Sequence, residues 1–172
     1  MSERNEEVEC IDLVNADGIV VQRGVLRDDY IREEGLYMRI VIAVITNSAG
    51  LVLAHKRAAV KSHPGLMDHV CGGVRANEDP LLDAVPRETR EEVGITIHEV
   101  EEVRSGLNEY GRFCILVRGK SDEMPNNLNP LEVESADYHP LHELYAKRDS
   151  GEMEFVNGFF EDVEATLKFS GT

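Results

Sequence analysis

Basic residues are scarce in this chain: 18 Lys and Arg stand against 33 Asp and Glu in 172 residues, a formal net charge of -15. A surface of that sign repels a polyanion along most of its extent, which argues against nucleic acid and anionic membranes as partners. Cysteine is sparse too. Cys10, Cys71 and Cys114 are an odd number, with neither a disulfide-framework spacing nor a C-x-x-C pair, the pattern of a reduced, cytoplasmic chain. No apolar run approaches the roughly 18 residues of a membrane-spanning helix, and the opening Met-Ser-Glu-Arg-Asn-Glu-Glu lacks the apolar stretch of a secretion signal. The expectation is a soluble intracellular protein. The chain does have 42% hydrophobic residues, enough for the core of one compact domain over residues 1–172. Its acidity leaves room for a phosphorylated small molecule, because carboxylates that bind a divalent cation reverse the local field.

Turn residues and alternation organise the first half. Residues 8–14 and 18–22 read as strands around Asn15-Ala16-Asp17-Gly18. Residues 39–46, rich in Ile and Val, and residues 51–55 read as a second hairpin across Asn47-Ser48-Ala49-Gly50. A short strand over 66–71 ends at Gly72-Gly73. Asp79 can then cap a helix with Pro80 in its first position, reaching about Val93 and closed by Gly94. Pro86 inside that helix removes an amide and clashes with the carbonyl of Leu82, so a kink or a later start is expected. Strands follow over 95–103 and 113–117, and residues 119–130 read as a mobile loop by composition. The last third offers a strand over 134–139, a short helix after Pro140 and a helix over 152–169. In that helix Phe155, Phe159, Val163 and Leu167 would form a core-facing stripe. Antiparallel hairpins with a helix set between strands argue for an α/β sandwich with a mixed sheet.

Glu88, Glu91 and Glu92 stand at i, i+3 and i+4, on one face of a helix. Three adjacent carboxylates repel one another, a cost that makes sense if a hard cation binds among them; without His or Cys nearby, magnesium or manganese is favoured over zinc. Charge runs also occur as solvated faces, and Arg87 and Arg90 would neutralise such a face here.

Spacing decides between these. Gly73, an acid at Asp79, Arg87-Glu88, Thr89, Glu91-Glu92, Gly94 and Ile95 fall at the intervals of the box of the Nudix hydrolases, and residues 73–95 resemble that box closely. The resemblance extends over residues 8–168. It implies an α/β/α sandwich with a central mixed sheet, and a Mg2+-dependent hydrolysis (Mn2+ also serving) of a diphosphate linked to another moiety. By matched position Glu88, Glu91 and Glu92 would hold the metal, Glu91 would also order water, and Arg87 would pair with the carboxylates. Three departures stand out: Asp79 where the family has Glu, with Glu78 beside it; Thr89 for an apolar residue; and Pro86.

The stretch 11–57 looks most like the isopentenyl-diphosphate isomerase branch of the family, and Cys71 lies near that enzyme's cysteine. However, Gly72-Gly73-Val74 follows it and Met38 replaces an expected histidine, so hydrolysis is the better reading. A ligand-sensing domain without catalysis is the third. Arg39 and Arg57, with His55, Lys56 and Lys61, could receive phosphates beside the backbone at Gly72 and Gly73, or could serve only solubility. Glu109, Glu132 and Glu134 are candidate bases outside the box; His63 reads as a turn residue, and His69 is within reach of the site. The partner expected is a small-molecule diphosphate, with a homodimer left open.

Overall fold

The computed structural model of the chain describes residues 8–171. The strands are β1 (Cys10–Val14), β2 (Val20–Leu26), β3 (Tyr37–Thr46), β4 (Val52–Arg57), β5 (Met67–Asp68), β6 (Val70–Gly73), β7 (His98–Leu107), β8 (Phe113–Lys120) and β9 (Val133–His139). The helices are α1 (Val85–Val93), α2 (Leu141–Ser150) and α3 (Phe159–Lys168). The β1–β2 hairpin closes through Asn15, whose Oδ1 accepts from the amides of Asp17 and Ile19, the self-capping turn this residue favours.

β3 is the hub of the sheet. It runs parallel to β8 over residues 39–46 and antiparallel to β6 over residues 40–43, and meets β1 at residues 37–38. An apolar strand buried on both faces needs partners on both edges. The expected hairpin with β4 is accordingly reduced to one pair, Thr46 with Val52, and β4 turns away to β9 and β5. Successive residues of β3 face opposite ways. Val41, Ala43 and Ile45 join Val85, Val93 and Ile95 on the α1 side, while Val44 joins Leu116, Leu144, Phe159 and Val163 on the α3 side. The result is the α/β/α sandwich with a mixed sheet that the sequence predicts.

Two expectations are corrected. The last helix begins at Phe159, because Gly158 takes φ 87° at its N-terminus, and residues 154–156 instead lie extended against Met67 through Met67 N to Glu154 O and Val156 N to Met67 O. The buried stripe is therefore Phe159, Phe160, Val163 and Thr166, with Leu167 exposed. The segment 119–130, read as mobile, is tied down: its first two residues belong to β8, and the amides of Asn126 and Asn129 donate to the carbonyls of Val93 and Glu92 at the end of α1. Turn-forming composition met a helix end that needed donors.

Candidate functional site

The helix carrying the three glutamates is built in two pieces. Asp79 caps it, Oδ1 accepting from Leu81 N and Leu82 N at 2.9 Å. Residues Pro80–Ala84 then form one wide π turn in which Asp79 O accepts from both Asp83 N and Ala84 N. α1 starts only at Val85, so Pro86 falls in its first turn, where a missing amide goes unneeded. The disruption expected from Pro86 is thus absorbed by a later start. Gly94 ends the helix at φ 70°, and a Cβ there would overlap the Asn126 carbonyl, so both conformation and close approach require glycine. Thr89, fully buried, donates its hydroxyl to Val85 O at 2.8 Å.

The glutamates divide into an inner pair and a rim residue. Glu88 fills the space left by Gly72, where any Cβ would collide with its carboxyl. Glu92 is 6% exposed; its Oε2 accepts from Cys71 N at 3.4 Å and lies 3.9 Å from His55 Nδ1. Burial raises the Glu88 carboxyl despite the opposing charge of Arg87. Burial pushes the Glu92 carboxyl well up, reinforced by Glu88, Glu132 and Asp68. His55, also buried, is pushed down to about 4 by that burial, so at neutral pH it is an uncharged neighbour. Glu91 stands outside, its side chain 46% exposed, 3.6 Å from Arg75 and 3.2 Å from Arg87. Among the described residues no three carboxylate, His or Cys groups already converge on one point. The inner pair is nevertheless a fitting donor set for a hard divalent cation, being two desolvated carboxylates with a like-charge cost that such an ion would relieve.

Arg87 binds the box together. Its Nε and Nη2 fork onto Glu78 at 2.7 and 2.9 Å, Nη1 donates to Glu88 at 2.7 Å, and Nη2 also reaches Gly73 O at 2.8 Å. Burial alone would lower its pKa, but the hydrogen bonds and charges of Glu78 and Glu88 raise it. Glu78, rather than Asp79 in the family's acid position, is therefore the partner of Arg87. Burial opposes ionisation of Glu78, yet Arg87 and the Arg75 amide hold its carboxyl low. Sequence spacing missed this because both acids are adjacent and only the fold shows which caps the helix.

Of the cations named from the sequence, Arg39 and Arg57 are both engaged within the protein. Arg39 is buried at 9% exposure and its burial lowers its pKa; its carbonyl holds Val74 N at 3.1 Å. Arg57 is spent on Asp68 at 2.6 Å and on Ser62 O at 2.8 Å. Besides Arg87, the guanidinium beside Gly73 is that of Arg27, and Arg75 stands next to it across Glu9. Of the candidate bases, Glu132 contributes to the field on Glu92 and pairs with Lys61. Glu134 pairs with Lys56, and Glu109 bonds Asn157 near α3, on the opposite side of the sheet. Cys71 pairs in register with Ile42, so strand alternation turns its thiol to the side opposite the one where Gly72 meets Glu88. His69 is a core residue: its ring stacks on Phe159 at 4.0 Å and Nε2 bonds Phe159 O at 3.1 Å. His63, at φ 55°, is the turn residue expected.

Known proteins resemble this chain in sequence and in fold. The uncharacterized Nudix hydrolase YfcD of Salmonella typhi is 31% identical over 93 residues, 54% of this chain and 50% of the relative. The uncharacterized Nudix hydrolase PA4841 of Pseudomonas aeruginosa is 34% identical over 84 residues, 48% of this chain and 46% of its own length. The chain spans about half the length of these curated relatives. The crystal structure of DR0079 from Deinococcus radiodurans superposes with a TM-score of 0.69 at 25% identity, covering 91% of this chain and 99% of that one. The family model of the NUDIX domain matches residues 36–159, a span that contains the whole of the glutamate helix and most of the sheet beneath it. A match over more than half of its length shows that this chain belongs to the Nudix domain family.

Proposed function

We propose that residues 1–172 act as one cytoplasmic Nudix domain that hydrolyses a diphosphate linked to another moiety, such as a nucleoside diphosphate derivative, using Mg2+ or Mn2+. The observation that carries this reading is the inner carboxylate pair, Glu88 and Glu92, sunk beside the glycine strand, with Glu88 filling the space over Gly72 and Glu92 buried. A divalent cation held by Glu88 and Glu92, with Glu91 reaching in from the rim, would neutralise diphosphate oxygens and acidify bound water. Glu91, exposed enough to meet solvent, is the residue to order the attacking water or take its proton. Arg87 keeps Glu88 and Glu91 oriented and ties both to Gly73 O. The small-molecule diphosphate is the only partner this reading needs.

Isomerisation of isopentenyl diphosphate is the competing reading. Cys71 counts against it, because the register turns its thiol away from the carboxylates and burial raises its pKa well above the usual thiol range. The test is phosphate or pyrophosphate release from ADP, ADP-ribose and isopentenyl diphosphate, with Mg2+ and with chelator, in wild type and Glu91→Gln. Metal-dependent release that falls by about 100-fold or more in the variant supports hydrolysis, the scale expected for losing a positioned acid-base group. Isomerisation without cleavage would favour the competing enzyme, and metal-dependent binding without turnover would favour a sensor.

A further inference from the structure

Clefts of about 580 and 590 Å3 lie away from the glutamates. A smaller cleft of about 370 Å3 is lined by Val8, Glu9, Cys10, Arg75, Ala76 and Asn77. It adjoins the box directly: Arg75 Nη2 is 3.6 Å from Glu91, and a Cβ built on Gly73 would lie 3.8 Å from Arg27 Nη1 and 4.0 Å from Glu9 Oε1. Two guanidiniums therefore share the Glu9 carboxylate, Arg27 at 2.7 Å and Arg75 at 3.9 Å.

Arg27 and Arg75 differ from Arg87 and Arg57, and from Arg39, which is buried. Arg87 and Arg57 have their donors occupied by carboxylates and carbonyls. Arg75 Nε is buried with no hydrogen-bond partner among the described residues, and its contacts to Glu9 and Glu91 are longer than hydrogen bonds. On a chain of net charge -15, an under-occupied Arg75 beside Glu91, with Arg27 held next to it by the single carboxylate of Glu9, is an arrangement that a phosphate group would complete. Planar forks match phosphate oxygens in pairs.

We propose that Arg27 and Arg75 are the phosphate-recognition residues of this site and select diphosphates that end in a free phosphate over diphosphates esterified at both ends. The inference rests on the reading of the box as the diphosphate site and goes beyond it by naming the substrate class. A terminal phosphate carries up to two negative charges and three unsubstituted oxygens, enough to engage both arginines. A phosphate esterified on each side carries one charge and two such oxygens, and satisfies one fork at most. Glu9 holds the two guanidiniums in place and competes with the incoming anion.

Binding of α,β-methylene-ADP, which ends in a free phosphate, is compared by calorimetry with α,β-methylene-ADP-ribose, esterified at both ends, in the presence of Mg2+. Neither compound is cleaved at the bridged position, so binding is read without turnover. Wild type should bind the first at least about 10-fold more tightly, and Arg27→Gln and Arg75→Gln should each weaken it by about 10-fold, the scale of one charge-assisted contact. Both should weaken the second compound less, Arg75→Lys should restore part of the loss, and Glu9→Gln should tighten the first. The opposite sign of the Glu9 variant separates recognition from misfolding, as do matched melting temperatures. Equal affinity for the two compounds, equal losses on both, or no binding by wild type overturns the proposal. If the binding pattern holds while ADP and ADP-ribose go uncleaved, the hydrolase reading falls and the recognition site stands. If cleavage is lost only in Glu91→Gln and the arginine variants match wild type, hydrolysis stands and the recognition site falls.

Discussion

The two sides of the sheet are filled by different chemistry. On the α1 side the buried set includes Glu92, His55, Arg39 and Asp12 along with aliphatic residues. On the α3 side Phe155, Phe159, Phe160 and Tyr145 interlock as stacked and tilted rings, with centroids 4.6 to 5.2 Å apart. Each side holds one buried histidine. His55 stands 3.9 Å from an acid whose own ionisation is suppressed, whereas His69 has a ring partner and a carbonyl. The α3 side supplies stability, and the α1 side spends part of it on groups that burial disfavours. Such local violations of the apolar-core rule are where function is expected.

If this division is real, truncating the α3 side should harm folding and spare chemistry. Phe159→Ala is expected to cost about 3 to 5 kcal/mol, the range for a buried aromatic, seen as a lower urea midpoint, with unchanged kcat for the molecules that remain folded. A fall in kcat per folded molecule would break the comparison, by showing that the aromatic layer also shapes the site.

Asp12 tests how the α1 side anchors its charge. It accepts from Gly24 N and Asn77 N at 2.9 Å, the second lying in the box loop, and pairs with Arg23 at 3.3 Å. Burial pushes its carboxyl up, but those two amides and the arginines outweigh it and hold the pKa below the ordinary value. Asp12→Asn should cost about 1 to 3 kcal/mol at pH 7, since two buried donors lose their charged acceptor. Because the folded pKa is depressed, the carboxylate's contribution is present above about pH 4 and is lost as pH falls through the folded value. Urea midpoints of the two proteins should therefore converge on acidification; a gap that persists undiminished at pH 2 would refute the ionised anchor.

The smallest effect has the opposite sign. With chelator present, Glu92→Gln should raise stability by about 1 kcal/mol, because the amide keeps the shape and removes the cost of burying an ionisable carboxyl, whether borne as a charge or as a bound proton, while metal-dependent activity disappears. A variant less stable than wild type under chelator would mean that the Glu92 carboxylate is held for structure.

Much of this site was legible in the chain. The box spacing placed Glu88, Glu91, Glu92, Arg87 and Gly94 on one helix and in register, and the misfit of Pro86 announced the late start of α1. The continuous run of Ile and Val in residues 39–46 announced a largely buried strand. The strand's partners were not readable, because an apolar strand accepts any edge that fits, and β8 and β6 displaced β4 from all but one pair. The four-residue repeat from Phe155 to Leu167 suggested a longer helix, and one positive-φ glycine at position 158 stopped it.

The sequence by itself determined the family, the three-layer architecture and the identity of the helix that carries the chemistry, because these depend on local spacing along one chain. Only the tertiary structure decided which acid holds Arg87, which glutamates lie inside, and which arginines stand beside Gly73. Those are choices among residues of the same type, made by distance and burial across strands far apart in sequence. Arg39 and Arg27 are both arginines near the start of the chain, but one is packed under the box and the other opens beside it.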